Sequence, residues 1–147
     1  MERKVNSEEF LKNNLVKKVK PDFDQINHQI KRARQDLKTA EANLTIDTTW
    51  ALTIAYHAMI RAGRALMYAQ GYLPTTNQSQ KTIVEFTNIS LGSDYHELVA
   101  KFNRLRRRRH GFIYDSKNHV NAEEAKSALE TAKKLIDQIT SLIKNIS

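Results

Sequence analysis

No cysteine occurs in the 147 residues, which removes disulfides, thiolate metal sites and thiol nucleophiles together and suits a reducing compartment. Glycine (4) and proline (2) are scarce, so few positions oblige the backbone to turn and the remainder favour helix. No apolar run approaches the ~18 residues of a membrane span. The opening "MERKVNSEEFLKNN" lacks the apolar stretch of a signal peptide, so a cytoplasmic protein is expected. Also missing are GxGxxG, a phosphate-binding P-loop, a GxSxG elbow, paired catalytic carboxylates and the HxxxH or HExxH spacings of metal sites. The familiar catalytic templates are thereby set aside, and neither a metal nor a cofactor is expected.

What remains is ordinary soluble composition, 40% hydrophobic and 27% charged, enough for one domain with a real core. We expect a single domain over residues 1–147, with 1–20 an N-terminal extension and the core about 22–146. Its apolar positions follow helical periods. Phe23, Ile26, Ile30, Ala33, Leu37, Ala40 and Leu44 alternate in steps of three and four, which puts all seven on one stripe of a long helix. Pro21 is expected in its first turn, with Asp22 and Asp24 near the positive end of the dipole.

Asp47 suits the N-cap of a second helix whose Ala-rich face is Trp50, Ile54, Ala58, Ala62, Ala65, Leu66 and Ala69, closed by "QGY". "LPTTNQS" reads as loop, "SQKTIVEFTNI" as a short helix ended by "LGS", and Tyr95, Leu98, Phe102 and Leu105 resume the pattern. Asn121 and Glu124 have capping-box spacing at the head of the last helix, which runs through Ala125 to Ile146. Residues from Ser7 to Lys18 read as a weaker helical segment. The fold class expected is all-α, an up-and-down antiparallel bundle of four long helices plus one or two short ones.

The charge is lopsided, 24 Lys+Arg against 16 Asp+Glu for a net +8, which suits a polyanionic partner such as nucleic acid. Five of the arginines lie in "RLRRRRHGFIYD", residues 104–115. At about 100° per residue, Arg109 falls within the stripe of Leu98, Phe102, Leu105 and Phe112. Arg107 points the opposite way, and Arg106 and Arg108 lie on the two flanks, where long stems can follow the core edge. A guanidinium on a core-facing stripe needs a carboxylate, a subunit interface or a bound anion. Asp36 and Asp137 are the acids considered for an internal ion pair; the other reading is a polar cleft holding an anion. His110 lies off the stripe. Tyr114 follows Arg109 by five residues, and the two converge only if the helix bends or ends near Gly111. Tyr56, His57, Arg61 and Arg64 on the second helix are candidates to line the same cleft.

Three segments together resemble a HEPN domain of the small stand-alone prokaryotic kind. "AYHAMIRAGRALMYAQGY" is similar to its Tyr- and Ala-rich helix, "SQKTIVEF" to its Ser-His-Lys segment with Gln80 at the His, and "LRRRRHGFIYD" to its arginine motif followed by Tyr-Asp. The resemblance spans roughly residues 22 to 145. It implies a helical bundle that commonly dimerises, with motif residues of both subunits meeting in a cleft. It also implies a metal-independent ribonuclease, often a toxin paired with a small nucleotidyltransferase antitoxin.

The family motif is Arg, a polar residue, three more, then His; here it aligns as Arg109, His110, "GFI" and Tyr114. By resemblance, Arg109, His110 and Tyr114 are the catalytic candidates, with Arg106, Arg108, Tyr56, His57 and Arg61 binding nucleotide or RNA. In the family the cation orients phosphate while His assists attack by the ribose 2′-hydroxyl. A phenol, with an unperturbed pKa near ~10, is the poorer base. Two alternatives stand beside cleavage: a non-catalytic module binding nucleotide and a nucleotidyltransferase partner, or a purely structural bundle with Arg109 in an ion pair.

Overall fold

The computed structural model describes residues 7–114 and 119–147, except for the side chains at 110 and 112–114. Four long helices form the bundle: α2 (Phe23–Asn43), α3 (Thr48–Ala69), α5 (His96–Tyr114) and α6 (Ala122–Ile146). Two shorter ones join them, α1 (Glu8–Lys12) and α4 (Ser79–Leu91). The all-α bundle expected from the periodicity is what the chain forms.

Local chemistry sets the helix starts. Asp22 accepts from the amides of Asp24 and Gln25, Asp47 from that of Trp50 at 3.0 Å, and Asn121 from that of Glu124 at 2.8 Å. Each cap satisfies amides that the first turn leaves without a carbonyl. Pro21 therefore precedes the cap of α2 and does not sit in its first turn. On α2 the buried positions are Ile26, Ile30, Ala33, Leu37 and Ala40, the middle of the expected stripe, with Phe23 and Leu44 packed partly buried against the core.

α3 is the central helix, packed against α2, α4, α5 and α6, and most of its circumference is buried. At Gly63 helix α4 comes close to α3. A methyl group there would lie 2.6 Å from Ile83 Cγ2 and 3.0 Å from Thr87 Oγ1, so the missing side chain permits the approach.

Three further expectations fail. The segment from Ser7 to Lys18 is not one helix: α1 stops at Lys12, Asn14 takes a left-handed φ of 56°, and Val16–Lys18 forms a strand, β1. β1 pairs antiparallel with β2 (Tyr72–Pro74) in the register Val16↔Pro74, Lys17↔Leu73, Lys18↔Tyr72. Asparagine tolerates the left-handed turn and the β-branched Val16 suits the strand. Leu73 and Pro74 are thus not loop, since the ribbon pairs them. Trp50, expected on the Ala-rich inner face of α3, is 54% exposed, because α3 buries the adjacent Ala51, Leu52 and Ala55.

Candidate functional site

The α5 arginines are distributed by helical phase around a buried pair, Val99 and Phe102. Phe102 packs against Tyr56 of α3 with ring centroids 6.1 Å apart. Arg106 and Arg109 lie one and two turns further along this side of α5, and long side chains on a helix lean toward its N-terminus. Both guanidiniums act electrostatically on Tyr56, and Arg109 acts on His57 as well. Arg107 is exposed, as expected of the solvated face. Arg108 turns the other way, toward α6, where it pairs with Glu124 and donates from Nη2 to the His119 carbonyl at 3.4 Å. The side chains of His110 and Tyr114, the other two catalytic candidates, lie outside the described residues.

Tyr56 is fully buried and donates its hydroxyl to Gln80 Oε1 on α4 at 2.5 Å. Burial drives its phenol far above the ordinary value, overriding the opposite pull of Arg109 and Arg106. Tyr56 is therefore a fixed donor at any physiological pH and no base. The neighbouring His57 is exposed on α3, its ring 5.7 Å from that of Tyr56. Its pKa lies below the ordinary 6.5, first through partial desolvation and then through Arg109, with Asp36 opposing and Arg61 adding to the decrease. A neutral imidazole able to accept a proton is the form present at neutral pH.

Arg61 is held by α2. Its Nη1 donates to Gln29 Oε1 at 2.6 Å and its Nε lies 3.4 Å from Asp36 Oδ2. Asp36 also takes Arg32 at 3.2 Å, and Asp137 takes Arg34 at 3.0 Å. Both acids considered for an ion pair with Arg109 are thus engaged elsewhere. Among the described residues no carboxylate pairs with Arg109, which is half-buried.

A cleft of about 580 Å³ opens between α2 and α3, lined by Gln25, Gln29, His57, Arg61, Arg64 and Tyr68, with Ile60 and Leu73 supplying apolar wall. A second hollow of about 420 Å³ lies between α4 and α5, with Lys81, Glu85, Asn88, His96, Arg106 and Arg107 on its walls. Among the described residues no three His, Cys, Asp or Glu side chains group as metal ligands, and no helix is long and apolar enough to cross a membrane.

Arg109 and Arg106 thus act on Tyr56, and Arg109 and Arg61 on His57, but the candidates do not share one pocket: His57 and Arg61 line the α2–α3 cleft, whereas Arg106 lines the α4–α5 hollow. Gln29 and Tyr68 were not singled out from sequence. The signal for Gln29 is weak: Gln25, Gln29 and Asp36 recur at helical spacing on the polar side of α2, but such a side is usually just solvated. Gln80 was noted only as the residue at the family's histidine position.

The fold is thus a helical bundle built around a Tyr- and Ala-rich central helix, with arginines of a later helix turned onto it. The chain matches the HEPN domain from residue 26 to residue 142, and it belongs to that family. None of the curated proteins matches the chain.

Proposed function

We propose that this HEPN protein binds RNA by its phosphates beside α3 and cleaves it without a metal ion. One observation carries the reading: Arg109 is a half-buried guanidinium with no carboxylate partner among the described residues, and it acts on an imidazole that is neutral at pH 7. A cation left uncompensated in that position suits an anionic ligand.

In the proposed reaction His57 takes the proton of a ribose 2′-hydroxyl, the 2′-oxygen attacks the adjacent phosphorus, and the bond to the 5′-oxygen breaks. The leaving oxygen is protonated from solvent. The products are a 2′,3′-cyclic phosphate and a free 5′-hydroxyl. Arg109 stabilises the charge that grows on the phosphoryl oxygens, and Arg61, steadied by Gln29 and Asp36, positions the neighbouring phosphate. Neither His110 nor Tyr114 is required for this assignment. The test is incubation of purified protein with RNA in EDTA. Cleavage that yields cyclic phosphate and falls in Arg109→Ala supports the reading; no cleavage, or cleavage indifferent to Arg109, refutes it.

A second reading is favoured by Tyr114 standing where the family motif has histidine. In it the same cleft binds nucleotide or RNA without cutting, and the protein, as a homodimer, associates with a nucleotidyltransferase. Salt-dependent RNA binding without cleavage, together with co-purification of such a partner, selects this reading over a toxin-like ribonuclease. Both readings place the protein in the cytoplasm.

A further inference from the structure

The central helix has one open side. From Trp50 onward, the positions of α3 that are exposed or half-exposed are Trp50, Ile54, His57, Arg61, Arg64 and Tyr68, with Ile60 beside Arg61. Their steps of four, three, four, three and four residues lay these six along a single stripe. An aromatic side chain stands at each end and the basic groups lie between. At about 1.5 Å per residue the stripe is roughly 27 Å long.

Its middle is the cleft lined by His57, Arg61 and Arg64, with Gln25 and Gln29 of α2 along one edge and Tyr68 at the far end. Trp50, 54% exposed, lies outside that cleft. It continues the line of cations along the same stripe.

From this geometry we infer that the open stripe of α3 is a track for single-stranded RNA, with Trp50 and Tyr68 stacking unpaired bases at its two ends while Arg61 and Arg64 hold the intervening phosphates. The inference rests on the RNA-binding reading above and names the form of its ligand. Duplex RNA keeps its bases stacked and shows no base face to a ring, whereas an unpaired strand offers both bases and backbone. The glutamine amides on α2 are within the same cleft to meet base edges. A second copy of the chain is the poorer occupant. A two-fold contact of this stripe with itself would set arginines against arginines, and Asp36 at its edge is already held by Arg32 and Arg61.

Trp50 is the single tryptophan of the chain, so its fluorescence reports directly on the end of the track. The experiment titrates the full chain with a twelve-nucleotide oligouridylate in EDTA, using a 2′-deoxy-blocked version where cleavage interferes, and with a blunt RNA duplex of equal length. Quenching of Trp50 by the single strand is expected, with weaker binding to the duplex. Trp50→Ala and Tyr68→Leu should each weaken single-strand binding by roughly five- to hundredfold, the worth of one stacked base. Arg64→Gln should flatten the salt dependence by about one phosphate.

Unchanged fluorescence at saturating RNA, equal affinity for the duplex, or a Trp50→Ala variant that alters sedimentation but not RNA affinity would overturn the track. Its failure is separable from failure of the cleavage reading. Cleavage without quenching removes the track alone, and quenching without cleavage removes the reaction alone. Absence of any RNA binding removes both.

Discussion

Replacing Arg109 with alanine should separate function from stability. Were Arg109 half of an internal ion pair, its loss would strand a carboxylate, at a cost of about 3–5 kcal/mol. The structure leaves no such carboxylate among the described residues, since Asp36 and Asp137 pair with other arginines. Instead Arg109 faces Tyr56, which is protonated, and His57, whose protonated form it opposes. Truncation therefore removes some packing of the stem and some repulsion, and the net change should stay within about 1 kcal/mol. For a chain of this size that is about 2–4 °C in Tm. Removing a preorganised donor at a phosphoryl centre, by contrast, should lower the cleavage rate roughly 10²- to 10³-fold.

The assay is paired: calorimetric or far-UV melting of wild type and Arg109→Ala at neutral pH, and single-turnover cleavage of an RNA oligomer in EDTA. The two proteins should also differ on acidification. His57 is depressed in the folded state, so the unfolded chain binds its proton more readily and stability is lost as pH falls through 6.5 toward the folded value. Without Arg109 that depression is smaller, and the variant should lose less stability between pH 7 and pH 5. A Tm drop on the order of 10 °C with RNA binding unaltered would show that Arg109 is a structural ion and that the reasoning is wrong.

The cleavage rate of wild type should rise with pH and level off before neutrality, because the depressed His57 deprotonates below 6.5. A pH–rate profile checks this, and an unchanged acid limb in His57→Gln would exclude His57 as the base. Gly63→Ala should destabilise despite its better helix propensity. The added methyl would meet Ile83 at 2.6 Å, and overpacking of about 1–3 kcal/mol exceeds the ~1 kcal/mol gained from the helix; a Tm equal to or above wild type contradicts the close approach of α3 and α4. Gln80→Ala leaves the buried Tyr56 hydroxyl without its acceptor, which should cost about 1–3 kcal/mol by denaturant unfolding, and a midpoint shift of zero would mean that Tyr56 finds another partner.

The parts of the fold legible in sequence are those decided within a few residues. Asp47 and Asn121 announce their helices because a side chain reaches an amide three positions on, and the stripe from Ile26 to Ala40 needs only helical phase. The ribbon of β1 and β2 was not legible for the converse reason. Each strand has three residues, too few to show alternation, and the pairing of Val16 with Pro74 joins segments far apart in the chain. Trp50 was misplaced because α3 is buried on most sides. In such a helix apolar residues carry no phase signal, and the polar minority marks the orientation instead. His57, Arg61 and Arg64 point to the open side, and Trp50 shares their spacing.

The same logic explains how Arg106 differs from Arg108. A wheel anchored on Leu98 puts both on flanks of equal standing. Among the described side chains of α5, Val99 and Phe102 are the buried positions, whereas Leu98 and Leu105 pack only partly buried. The helix is thus rotated so that Arg106 joins Arg109 over α3 and Arg108 swings toward Glu124. That rotation divides a run of near-identical side chains into different jobs. Arg107 solvates the surface, Arg108 ties the end of α5 to the start of α6, and Arg106 and Arg109 are left with a buried phenol that will not ionise, while Arg109 also discourages the His57 imidazole from charging. A cluster of that sign attracts what it lacks. Nothing in the described part of the molecule supplies Arg109 with a negative charge, so the compensating anion is expected from the ligand.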